Sequence, residues 1–140
     1  MPFSGWQQEF QGLRVDTTVA GLNLYAGVAT SGETGANVYS VTLTQKTWVS
    51  TILVDMRNCN GGFAGPVITI RVYSHAAGVE VKISEQAFTK GLTPGGGRYG
   101  GDPDAIPVLV GRTCFGGLLR LEIQSNYVSD VAVSIPVKIS

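Results

Sequence analysis

Charge is scarce in this sequence. Of its 140 residues only 14% are Asp, Glu, Lys or Arg, and ten basic side chains cancel ten acidic ones. Soluble domains average about 25% charged residues. Phosphate binding draws on clustered Lys and Arg and the counterions they release, so nucleic acid is not expected as the main partner. A hydrophobic fraction of 44% argues against disorder, which needs low hydrophobicity and high net charge. Histidine occurs once, at His75, and cysteine twice, at Cys59 and Cys114, with no CxxC pair. No Cys/His zinc site is expected from that set. Without an export signal, two half-buried thiols are expected rather than a disulfide. No run approaches the roughly 20 apolar residues of a membrane span. Met1 to Glu9 has neither a basic n-region nor an apolar h-region, so the chain reads as a cytosolic product when made.

Catalytic signatures are equally thin. General acid–base chemistry uses His or a paired set of carboxylates. His75 falls beside Ser74 in what reads as a hairpin loop, where a histidine is ordinarily solvated. No GxSxG is present, and Cys114 in Thr-Cys-Phe-Gly-Gly has no activating context. The acidic residues alternate outward on strands, where solvated faces are the default. No enzyme activity and no cofactor is expected. Gly95, Gly97 and Gly100 formally satisfy GxGxxG, but the loop runs into Asp102-Pro103-Asp104 and a strand, not into the helix a dinucleotide site needs. Asp102 and Asp104 offer few oxygen ligands for calcium.

What is present is period-2 alternation. Trp48, Ser50, Ile52, Val54 and Met56 take one face of a run from Thr47; Thr47, Val49, Thr51, Leu53 and Asp55 take the other. Ile68, Ile70 and Val72 oppose Thr69, Arg71 and Tyr73. Val79, Val81 and Ile83 alternate with Glu80, Lys82 and Ser84. Leu119, Leu121 and Ile123 alternate with Arg120, Glu122 and Gln124. In the last run Val131, Val133, Ile135, Val137 and Ile139 read as inward, and Pro136 places that strand at an edge or a bulge. Weaker strands read at Val38–Leu43, Ile106–Val110 and Asn23–Ala29. Eight short strands separated by turn signals predict one antiparallel all-β sandwich domain over 1–140. A two-sheet jelly roll is the first choice. An immunoglobulin-like sandwich is second, because Trp48 precedes both cysteines where that fold puts Trp between them.

Two segments stand outside the pattern. Residues 1–20 read as an N-terminal arm in which Ser4 suits an N-cap and Trp6, Phe10 and Leu13 share a helical face. A short helix and an extended arm both fit. Residues 91–105 form a glycine-rich loop, either a plain surface loop or one ordered against a partner. Trp6, Phe10, Arg98 and Tyr99 are the candidate partner contacts, since aromatics and Arg are enriched at interfaces.

Three segments carry a likeness: Ile68-Thr-Ile-Arg-Val-Tyr-Ser74, Val79-Glu-Val-Lys-Ile-Ser84, and the long terminal run from Leu118 to Ile139. Together with low charge and 19 glycines they resemble the jelly-roll cement proteins that decorate capsids of tailed bacteriophages. The resemblance covers residues 38–139 and is one of pattern. It implies a homotrimer on the outside of a virion, bound to the major capsid protein and reinforcing the shell, with neither nucleic acid nor membrane as partner. It carries over no individual site residue. The alternative reading is a carbohydrate-binding sandwich module, for example of a phage fibre, which needs only two aromatics and a few Asn, Asp or Gln side chains.

Overall fold

The computed structural model describes residues 13–25, 35–59, 67–89 and 105–140, and these form two packed antiparallel sheets of four strands each. The strands are β1 (Val15–Leu22), β2 (Val38–Thr42), β3 (Thr47–Asp55), β4 (Val67–Ala76), β5 (Val79–Thr89), β6 (Ala105–Phe115), β7 (Leu118–Ser125) and β8 (Val133–Ile139). One sheet, sheet A below, has the order β1-β8-β3-β6; the other, sheet B, has β2-β7-β4-β5. First pairs with last, second with seventh, third with sixth and fourth with fifth. The all-β sandwich read from the alternation is therefore the fold.

The core lies between the sheets and is built from the inward residues of the central strands. Ile52, Val54, Ile70, Val72, Leu119, Leu121 and Ile135 expose none of their surface. Each fully buried Val, Leu or Ile contributes about 1.5–3 kcal/mol of transfer free energy. The sandwich is closed along the β5/β6 side, where Ser84 Oγ and Gln86 Nε2 both donate to the Val108 carbonyl, at 2.7 and 3.3 Å.

Several expectations are corrected. The first strand is Val15–Leu22, which starts within the 1–20 stretch read as an arm and runs past its end, while Asn23–Tyr25 turn away from it. The face assigned along β3 changes midway. Ser50 and Thr51 both donate to the Ser140 carbonyl, at 2.7 and 2.9 Å, a bulge that inserts one residue and puts Val49 on the core side with Ile52 and Val54. Pro136 is in a central strand and not at an edge, because β8 pairs with both β1 and β3. It does lie near a bulge: the β1 register shifts between Val19 and Leu22, opposite Ile135 and Val133. The β3 partnership stops at Val137, one residue short of Pro136, as a residue without an N–H requires. Val131 precedes β8 and is half exposed, whereas Val133, Ile135, Val137 and Ile139 are buried as expected. His75 belongs to β4; the hairpin turn is Ala77-Gly78, at φ +53° and +78°, the two left-handed residues that suit strand twist. No disulfide joins Cys59 and Cys114; Cys59 is buried and Cys114 exposed, in place of the two half-buried thiols expected from the sequence.

Candidate functional site

One end of the sandwich is built around the β7–β8 connection. Ser125 Oγ donates to Asp130 Oδ2 at 2.6 Å and accepts from the Tyr127 amide at 3.1 Å. The Asp130 carbonyl receives the amides of Leu24 and Tyr25, at 2.8 and 3.2 Å. Val67 and Asn126 exchange two bonds, Val67 N to Asn126 Oδ1 at 2.8 Å and Asn126 N to the Val67 carbonyl at 3.1 Å. Three separate stretches of chain are thus tied into one platform, and Ser125 and Asp130 are buried beneath it.

The platform displays apolar side chains. Tyr25, Val67, Val128 and Val131 are four of the seven exposed large hydrophobics among the described residues. Asp130, the only charged residue of Gln124–Ala132, is 0% exposed. A loop held by this many hydrogen bonds has its conformation fixed before any partner arrives, and exposed apolar side chains on and beside such a loop suit a protein contact. The sequence hid it: Val131 continued an inward alternation, and Tyr25 and Val67 lie far from it along the chain.

The outward face of sheet B holds the charged groups. Arg120 Nε donates to Glu80 Oε2 at 3.0 Å, and its Nη2 pairs with the other oxygen of the same carboxylate. The Tyr73 ring stacks 4.3 Å from the Arg120 guanidinium carbon. Arg71 Nη1 donates to Glu122 Oε1 at 2.8 Å and to Gln124 Oε1 at 3.0 Å, and Glu85 is shared by Arg71 and Lys82. Glu122 and Arg120 are at most 1% exposed, so the expectation of solvated outward acids fails for Glu80 and Glu122. Burial by itself lowers the Arg120 pKa, but the hydrogen bonds and charge of Glu80, with Glu122, more than reverse this and raise it. The Lys82 hydrogen bond holds the Glu85 carboxyl below its usual range, and burial pushes the Tyr73 phenol up. These groups pair with one another across the sheet, save that Arg120 Nη1 makes no hydrogen bond and stands 3.8 Å from Glu122 Oε2.

A recess of about 240 Å³ opens on the outer face of sheet A, lined by Asp16, Leu53, Asp55, Pro136, Val137 and Lys138. It lies where the β8–β3 ladder stops ahead of Pro136. Its volume is below the roughly 300–1,000 Å³ of small-molecule pockets. Lys138 Nζ is 3.8 Å from Asp16 Oδ2, and Arg57 clamps Asp55 through Nε at 3.0 and 2.9 Å. Among the described residues no cluster of three His, Cys, Asp or Glu side chains is placed to hold a metal ion.

The contacts proposed from sequence, Trp6, Phe10, Arg98 and Tyr99, lie outside the described residues, as do the helical reading of Ser4 onward and the glycine-rich loop up to Asp104. Comparison with protein-family models, with curated proteins and with solved structures finds no match for this chain.

Proposed function

We propose that this chain is a structural virion protein, a cement protein that binds the outside of an assembled bacteriophage capsid and stabilises the shell. The observation that carries the reading is the hydrogen-bonded platform with Tyr25, Val67, Val128 and Val131 exposed on it. Such a surface binds another protein through apolar burial with little ordering cost, and many copies on one shell add avidity. The strand pairing supports the jelly-roll part of the resemblance: four nested antiparallel pairs wrapped over two sheets are what two Greek keys produce. In this reading the major capsid protein is the partner, the chain is made in the host cytoplasm, and it ends on the capsid surface as a trimer, as the resemblance implies.

The test is particle composition. Virions purified from the source and separated by mass spectrometry should contain the chain in many copies, and Val128→Ser with Val131→Ser should lower its occupancy without unfolding it. Absence of the chain from the particle overturns the reading. The carbohydrate-binding alternative then takes precedence, on the strength of the sheet A recess with Asp16, Asp55 and Lys138 around an apolar floor, and glycan binding in solution tests it.

A further inference from the structure

Each sheet ends in two edge strands, and three of the four carry devices that discourage pairing with another chain. β2 is only five residues long. β5 carries Glu80, Lys82 and Glu85, and its register with β4 breaks at Val72/Tyr73. Its Ser84 and Gln86 are also tied to β6. β6 contains Pro107, Arg112 and Gly111 at φ +118°, with two register breaks against β3. Short length, charges, proline and bulges are the usual protections of exposed edges.

β1 has none of these over its first five residues. Val15 to Val19 keep unbroken register with β8, and the irregularity comes only between Val19 and Leu22. Four of the five are β-branched, and the single charge, Asp16, already faces Lys138 across the ladder at 3.8 Å. Exposure alternates along the strand: Val15, Thr17 and Val19 are half-buried, Asp16 and Thr18 exposed. Val15 and Val19 pack against the core without being enclosed by it. Among the described residues no strand lies on the other side of β1.

We propose that β1 pairs with β1 of a second copy, antiparallel, about a two-fold axis through Thr17. This goes beyond the function proposed above and stands without it. The sequence of the strand selects the register. Residues directly opposite must share a face, so the axis passes through a residue and not between two. Centred on Thr17, Val15 meets Val19 of the second copy on the core side, completing the burial that each lacks. On the outer side Asp16 meets Thr18 of the second copy, so no like charges stand opposite. The contact is isologous and closes on itself, giving a pair with the two A sheets joined into one. It is separate from the three-fold contact implied by the resemblance.

The test uses the full chain in sedimentation equilibrium from micromolar to millimolar concentration. The expected mass is that of two chains. Thr18→Asp puts a second carboxylate opposite Asp16 and should weaken the pair roughly tenfold or more, while Thr18→Lys puts a cation there and should keep or tighten it. Thr18 is exposed, so both variants should melt like the parent when monomeric. A mass of one chain or of three chains throughout the range overturns the proposal, as does an equal response to the two substitutions.

Discussion

Arg120 of β7 holds Glu80 of β5 in a two-point fork, although β4 runs between their strands. Neighbouring strands lie about 4.8 Å apart, so the guanidinium reaches across a whole strand, and it does so over the Tyr73 ring. The result is a charge pair almost closed to water on a sheet face that would ordinarily be wet. Removing one partner of such a pair leaves the other as an uncompensated buried charge. Arg120→Ala should therefore destabilise by about 3–5 kcal/mol in urea titrations. Arg120→Met combined with Glu80→Gln should cost clearly less than the two single changes added together. Additive losses would mean the fork does not couple these residues.

The start of β8 gives a second test. Val133 is 4% exposed and Val131 is 51% exposed. Val133→Asp buries an unpaired carboxylate and should cost several kcal/mol, whereas Val131→Asp should change stability by about 0.5 kcal/mol or less. Denaturant midpoints of the two variants measured side by side check this. Equal losses would move the first inward residue back to Val131.

Gly117 and Gly21 make a matched pair of backbone tests. Both have φ near +70°, at +77° and +67°. A Cβ on Gly21 meets nothing within 4 Å, but a Cβ on Gly117 would stand 2.5 Å from the His75 carbonyl oxygen. Gly21→Ala should cost about 1 kcal/mol, the price of a left-handed alanine. Gly117→Ala adds a backbone collision to that strain and should lower the melting temperature substantially further.

Alkaline pH should destabilise the fold through its tyrosines. Burial raises the pKa of both Tyr39 and Tyr73 above the ordinary 10.0. A raised folded-state pKa means the folded state keeps its proton longer than the unfolded chain does. The associated stability is complete below pH 10.0 and is lost as pH climbs from there through the raised values. Tyr39→Phe should flatten this alkaline decline, as read from denaturation at a series of pH values. An unchanged slope would remove Tyr39 as a contributor.

The alternation of β4, β7 and β8 was legible because those strands are central and one face of each meets the core without interruption. β3 was legible except for its face, since one inserted residue at Ser50–Thr51 moves Val49 to the core side and no local composition marks the bulge. β1 was missed because threonines stand at two of its five regular positions and the strand is only half-buried. Val79 and Val81 read like core residues but are exposed, because they belong to the hairpin end of an edge strand. The burial of Arg120 and Glu122 depends on Arg71, Tyr73 and Glu80, which arrive from other strands. Pairing across strands also assembles the Tyr25, Val67, Val128 and Val131 surface. Neither can be read from a local window.

The nested pairing also sets an order in time. The β4–β5 hairpin joins residues separated only by Ala77 and Gly78 and is free to form first, on the microsecond scale of isolated hairpins. Each further pair, β3 with β6, β2 with β7, and β1 with β8, closes a longer loop than the one inside it. Loop-closure entropy then makes zipping outward from the hairpin the cheapest route and puts folding in the slow, millisecond-to-second range of all-β topologies. On a ribosome the β1 strand, made first, must wait unpaired until β8 has been synthesised.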